Sequence, residues 1–465
     1  MRHCKPCSKR ASRSLLGLPG ESTSGNREYY LASVADKVYF AETALLPLTG
    51  LQATYYFLGE VWEHLAVELR VEQMAEYKTL GDQLVRTSMS EAHREMANAL
   101  LDSLNAQFLA DIAAARGMTP AQVQALIDTP LLTPQDFLQA GLIDGIAYDD
   151  EVVRKLGPEV KAVPLRTYRR VRPASLGLGR GPKIAVVAGA GTLVPAESGW
   201  SAMGQTLGAK TLAEALEQAA ADDTIRAIVL RLDSPGGSVL AADLLWRAVK
   251  RATARKPVVV SMAGVAASGG YYAAAGASKI VALPATLTGS IGVVFLLPNV
   301  QGLLAKLGVH AETLTRGRYA DLFSPLRSWS AAERQTVEQL VRALYQRFTR
   351  KVAEGRGLPP EAVERLARGR VWTGAQAQQL GLVDALGGFE VALQLAKEAA
   401  NIPAEAPVQL VRFPRAPRLL PALLQRLRGQ SRAASPWPRG LQRLLALPAA
   451  PPGPLLVMPW VFDIR

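Results

Sequence analysis

The stretch A-G-V-A-A-S-G-G-Y-Y-A-A-A-G, Ala263 to Gly276, decides how this chain is read. An apolar run, Pro257 to Met262, leads into it and reads as a buried strand, and Tyr271 to Ala275 begins a helical pattern. One hydroxyl, Ser268, stands at the junction. Gly269 and Gly270 follow it, and glycine lets another backbone approach closely. A helix starting there aims free N–H groups at negative charge forming beside the serine. That is a seat for a nucleophile, provided a base and an oxyanion hole accompany it.

Working outward, Lys183 to Ala190 reads as a strand, Thr211 to Ala221 as a helix, and Ile225 to Leu232 as a second buried strand running into D-S-P-G-G-S-V. A helix over Ser238 to Ala254 precedes the Pro257 strand. Helical patterns return around Ala331 to Glu354 and Pro360 to Ala367. Alternating strands and helices predict a largely parallel sheet covered on both faces. The D-S-P-G-G segment reads as a strand-ending turn. Its Gly236 or Gly237 could give an oxyanion-hole N–H beside that of Gly269.

The chain also matches itself. Tyr29-Tyr30 recurs as Tyr271-Tyr272, Ala35–Phe40 as Ala277–Ala282 and Gly50 as Gly292, all at an offset of 242 residues. Ser90–Phe108 recurs as Ser330–Phe348 at an offset of 240. A-G-L-I-D at Ala140–Asp144 likewise recurs as L-G-L-V-D at Leu380–Asp384. The organisation expected is an unassigned segment 1–19, a first module 20–157, a linker 158–182 rich in Arg, Pro and Gly, a complete second module 183–402, and a basic Pro/Arg/Leu-rich tail 403–465. Counterparts of Lys183 to Gly264 would have to precede Asn26, where only 25 residues stand. The first module is therefore expected to be incomplete, the chain being a short form or its start misplaced.

The repeat comments on the site. Asn26 stands opposite Ser268, and Ala320 stands opposite Lys78. One module keeps a candidate nucleophile and the other a candidate base, which predicts a composite Ser268–Lys78 dyad. Lysine acts as a base only when neutral, and burial is the usual way to depress its pKa from about 10.4. The four histidines, His3, His64, His93 and His310, sit in no recognisable triad context.

Taken together, L-D-S-P-G-G-S-V, A-A-S-G-G-Y-Y, L-T-G-S-I-G-V, and V-W-T-G with G-L-V-D resemble signal peptide peptidases of the protease IV type, in the long two-module form, over about Gly20 to Ile402. The resemblance implies tandem crotonase-like, Clp-protease-like α/β modules. It implies a membrane-bound serine/lysine endopeptidase without a cofactor, working on the periplasmic or outer face of a bacterial membrane. It also implies a homo-oligomer, a tetramer in this family, acting on hydrophobic peptides such as released signal peptides. By resemblance Ser268 is the nucleophile, Lys78 the general base, and Ser290 a hydroxyl that orients the lysine. The family's N-terminal anchor is not seen in the sequence. An acyl-CoA hydratase or isomerase on the same fold is an alternative, as is a non-catalytic remnant.

Composition narrows the partners. The formal net charge is +13, but Val411 to Arg465 holds nine Arg and one Asp, so most of the excess sits in the tail and a nucleic-acid surface is not expected. Arg418 to Arg428 reads either as a short basic amphipathic helix at a membrane surface or as a poorly ordered arm. Cys4 and Cys7 are the only cysteines, and no further ligands stand near them, so no metal is expected. The uncharged run Ile280 to Ala305 is long enough to span a bilayer, yet it is broken by Pro, Gly and Thr and reads as strands and turns. Val265, Ala266, Ala267, Ile291, Val293 and Val294 flank the motifs and predict an apolar substrate pocket.

Overall fold

The computed structural model describes residues 15–18, 25–129, 131–155, 163–168, 171, 181–201, 204–414, 453–457 and 462–464. The Cys4/Cys7 pair, much of the linker and the Arg418–Arg428 segment lie outside them. The chain divides into two compact units. One comprises residues 1–54, 101–176 and 463–465, and the other residues 55–100 and 177–462. These units cut across the sequence repeat, because residues 55–100, which carry Lys78, belong to the second unit.

In chain order the strands are β1 (Leu15–Leu18), β2 (Lys37–Phe40), β3 (Ala53–Tyr55), β4 (Glu68–Gln73), β5 (Gly145–Ile146), β6 (Lys183–Ala190), β7 (Thr192–Val194), β8 (Gly199–Ser201), β9 (Gly204–Gly208) and β10 (Ile225–Ser234). They continue with β11 (Gly236–Ser238), β12 (Val258–Ala267), β13 (Lys279–Ala282), β14 (Leu287–Gly289), β15 (Val294–Asn299), β16 (Val371–Thr373), β17 (Ala385–Leu386), β18 (Gln409–Phe413), β19 (Gly453–Val457) and β20 (Phe462–Ile464). The uncharged run Ile280–Ala305 thus resolves into β13, β14 and β15, their turns and most of the short helix Gln301–Lys306. Among the described residues no helix is long and apolar enough to cross a membrane.

In the first unit β1, β2 and β5 form a parallel sheet. Tyr29, Phe40, Phe108, Ile112 and Phe137 make its core. In the second unit β6, β10 and β12 run parallel at the centre of an eight-stranded sheet. Side chains alternate across a strand, and β10 divides accordingly. Ile228, Leu230 and Leu232 pack with Leu212, Leu216 and Leu245 of the helices Ala209–Ala221 and Val239–Thr253. Ala227 and Val229 pack with Ala392 and Ala396 of the helix Phe389–Ala399 on the other face. Both faces are therefore apolar, as a buried parallel sheet requires.

A second sheet runs β4-β15-β19-β11-β7-β9-β8. The D-S-P-G-G segment is more regular than a turn. β10 continues to Ser234, Pro235 interrupts it, and β11 begins at Gly236. Proline has no N–H for a ladder, so the strand breaks there. Gly237 then packs so tightly on Leu193 that an added Cβ would lie 2.2 Å from its carbonyl oxygen.

The repeat is written into the hydrogen bonding of each unit. In the first, the Tyr29 hydroxyl donates to the Leu142 carbonyl at 2.7 Å. Asp144 accepts the Val38 N–H at 2.9 Å and pairs with Lys37 and Arg116. In the second, Tyr271 donates to Leu382 at 2.9 Å, while Asp384 accepts the Ile280 N–H at 2.7 Å and pairs with Lys279 and Arg356.

Candidate active site

Ser268 sits between the end of β12 and the helix Gly269–Ala274, fully buried, with φ 53° and ψ −114°. A non-glycine residue at positive φ is strained and must be held there by its surroundings. Its N–H donates to the Gly289 carbonyl at 2.8 Å, and its carbonyl accepts the Tyr272 N–H at 2.8 Å. Space requires the glycine at position 270 and favours one at position 269. A Cβ on Gly270 would lie 2.8 Å from the Ser234 carbonyl oxygen, and one on Gly269 would crowd Gly236 Cα at 3.3 Å and Leu193 Cδ1 at 3.2 Å.

Lys78 lies just before the short helix Leu80–Val85 and has no exposed surface. Its Nζ is 2.8 Å from Ser268 Oγ, 2.8 Å from Ser290 Oγ and 3.0 Å from the Ser290 carbonyl oxygen. All three neighbours are uncharged oxygens, and burial holds the amine well below the ordinary lysine range. A neutral amine has two N–H donors and one lone pair. Two bonds to Ser290 leave the lone pair for the Ser268 hydroxyl proton, so the arrangement is complete without an ammonium ion.

Ser290, also at positive φ (50°), is fixed by its N–H donating to the Arg370 carbonyl at 2.7 Å. Gly369 (φ 81°) donates its N–H to the Ile291 carbonyl, and the Tyr77 N–H donates to the Arg368 carbonyl. A Cβ on Gly369 would lie 2.5 to 2.7 Å from the backbone N, Cα and Cβ of Lys78. The segment Arg368–Arg370 therefore clamps both Lys78 and Ser290, which is bonded to the lysine amine. Sequence reasoning missed this clamp. Its one local cue is the glycine of A-R-G-R ahead of V-W-T-G, and nothing in the spacing points that glycine at Lys78.

Of the candidate oxyanion donors, Gly269 follows the serine directly and its backbone abuts Gly236. The Gly236 N–H donates to Ser234 Oγ at 3.2 Å. Of the residues expected to line an apolar pocket, Ala266, Ala267, Ile291, Val293 and Val294 are buried within cores and Val265 is half-buried. Asn26, opposite Ser268 in the repeat, crosslinks a turn instead. Its amide donates to the Gly50 carbonyl at 2.7 Å, and its oxygen accepts the Thr49 and Gly50 N–H groups. Ala320 lies in an exposed turn, and His93 packs edge-on against Tyr55.

Residues 20–162 and 250–403 match a sequence model of peptidase family S49, and residues 204–288 match one of Clp protease. The chain is 38% identical over 87% of its length to the chloroplastic serine protease SPPA of Arabidopsis thaliana, spanning 61% of that protein. It is 31% identical to Protease 4 of Salmonella typhi over 90% of this chain and 69% of the relative. It is also 31% identical to Protease 4 of Haemophilus influenzae over 82% and 64%. With the topology above, these matches make the fold the crotonase-like, Clp-protease-like one expected from the sequence.

Proposed function

Because the chain belongs to peptidase family S49, we propose that it is a serine endopeptidase in which Ser268 attacks the peptide carbonyl and Lys78 takes the serine's proton. As Oγ bonds to the carbonyl carbon, the hydroxyl proton passes to Lys78 Nζ and the carbonyl oxygen becomes an oxyanion. The Gly269 N–H and a second N–H from the Gly236–Gly237 segment stabilise that charge. Lys78 returns the proton to the leaving amine, the C–N bond breaks, and an acyl-serine remains. Water, deprotonated by Lys78, then releases the acid and regenerates the hydroxyl.

The observation that carries this reading is the buried Lys78 amine, 2.8 Å from Ser268 Oγ with only uncharged oxygens around it. Burial lowers the pKa of such a base, and the amine is already within proton-transfer reach.

The substrates in this reading are extended apolar peptides, released signal peptides among them, cut at or near a membrane by a homo-oligomer. Residues 453–457 run antiparallel to both β11 and β15, with Leu455 opposite Ser238 and Val294. A peptide in that ladder position would be held by its backbone, and broad specificity is expected from it.

A serine-reactive phosphonate tests the proposal. Mass spectrometry should find the adduct on Ser268, with labelling abolished in Lys78→Ala. An unlabelled Ser268 in the folded chain would assign the protein to the non-catalytic alternative.

A further inference from the structure

Tyr272 ties the nucleophile to the body of the second unit twice. Its N–H donates to the Ser268 carbonyl at 2.8 Å, in the first turn of the helix Gly269–Ala274. Its hydroxyl donates to Asp243 Oδ1 at 2.7 Å. Asp243 stands on the helix Val239–Thr253, and the same oxygen pairs with Lys351 of the helix Ala331–Arg356. Lys351 Nζ also lies 3.5 Å from the centre of the Trp246 ring and 5.2 Å from that of Tyr272. A cation is attracted to an aromatic face, so one ammonium group draws Asp243, Trp246 and Tyr272 together. The Lys351 side chain is 14% exposed and Tyr272 2%, and charged hydrogen bonds hold geometry best when shielded from water.

The repeat shows what is particular to the serine-bearing unit. In the first unit Tyr30 stands opposite Tyr272, Phe108 opposite Phe348 and Asp111 opposite Lys351. The Tyr30 hydroxyl donates directly to Asp111 at 2.6 Å, and its ring stacks on Phe108. One carboxylate on the long helix Glu91–Arg116 thus holds the tyrosine that follows Asn26. Beside Ser268 lysine takes that carboxylate's place, and the acid comes instead from the helix Val239–Thr253. That helix continues directly from β11, which carries Gly236 and Gly237.

We propose that Lys351 is a positioning residue for the oxyanion hole. Through Asp243 and Tyr272 it locks the helix that follows Ser268 against the helix that follows Gly236–Gly237. It thereby sets the spacing between the Gly269 N–H and its partner donor. The inference rests on the peptidase reading above, in which those N–H groups hold the oxyanion. Donors aimed at charge that develops only in the transition state act on kcat, whereas ground-state binding along the peptide backbone does not depend on them.

The test compares Lys351→Met, Lys351→Arg, Tyr272→Phe and Tyr30→Phe in the full chain, with fluorogenic apolar peptides. Lys351→Met and Tyr272→Phe should lower kcat by about tenfold or more and leave KM within about twofold. Affinity for a peptide aldehyde, whose adduct with Ser268 puts an oxyanion in the hole, should fall by the same factor as kcat. Lys351→Arg keeps the charge and should recover most of the loss. Tyr30→Phe removes the equivalent bond in the first unit and should leave kcat unchanged. Tyr272→Phe deletes a single oxygen atom, so it carries the test if Lys351→Met does not fold. A lower thermal midpoint with parental kcat and aldehyde affinity would make these contacts purely stabilising and overturn the assignment. An equal loss of kcat in Tyr30→Phe would overturn it too. In both cases phosphonate labelling of the parent at Ser268 shows that the peptidase reading stands, while an unlabelled parent overturns both.

Discussion

Lys78 Nζ lies 2.8 Å from Ser268 Oγ although 190 residues separate them. The two reach each other because β4, which ends five residues before the lysine, pairs with β15, while Ser268 N–H is tied to Gly289 at the end of β14. The amine is thus delivered by strand pairing, and its lowered pKa follows from the burial that pairing creates.

Removing either partner should stop peptide hydrolysis. Ser268→Ala deletes the nucleophile, and Lys78→Ala deletes a base worth roughly 10²–10⁴-fold. Peptide turnover by purified variants measures this. A Lys78→Ala enzyme within threefold of the parent would mean another group takes the proton.

Activity should rise with pH through the depressed folded pKa of Lys78 and reach its plateau well below the ordinary lysine value. Stability shifts in the same direction. The unfolded chain binds the lysine proton up to about pH 10.4 and the folded chain releases it earlier, so stability increases with pH between the two values. Urea unfolding of the parent and of Lys78→Met at pH 7, 8 and 9 should show the parent gaining stability relative to the variant as pH rises, with a limiting slope of about 1.4 kcal/mol per pH unit. Parallel pH profiles would show a lysine charged in the fold.

Gly369→Ala should damage both stability and chemistry. Its positive φ alone costs about 1–2 kcal/mol with a side chain, and the new methyl would overlap the Lys78 backbone. We expect a lower thermal midpoint and slower phosphonate labelling of Ser268. A stable variant labelled at the parental rate would show that the clamp does not hold the lysine.

Peptides with Leu, Ala or Phe before the scissile bond should be cleaved faster than those with Lys or Arg, because the half-buried Val265 near Ser268 is apolar and an unpaired buried charge is costly. Differences among apolar residues should stay modest, since one methylene changes binding by about 1–3 kcal/mol. Fluorogenic peptides varied only at that residue measure it, and a preference for Arg over Leu would contradict it.

Residues 453–457 fill the ladder position between β11 and β15. A chain ending at residue 414 should therefore show a KM several-fold lower with kcat little changed. An unchanged KM would mean that the segment and the peptide do not compete.

The sequence by itself determined the repeat, the α/β class and the choice of Ser268 and Lys78 as the two candidate groups. Those depend on residue type at fixed spacing. A strand-to-helix junction with room for two glycines marks Ser268, and the exchange of Asn26 and Ala320 for Ser268 and Lys78 shows that neither module keeps both groups. The tertiary structure decided the rest. That Gly369 rather than another glycine presses on Lys78, that Ser290 gives its carbonyl as well as its hydroxyl, and that residues 55–100 leave their own repeat for the second unit all follow from which strands pair. Pairing joins backbone atoms far apart in the chain, and backbone hydrogen bonds are the same for every residue type except proline, so no local pattern of side chains announces them.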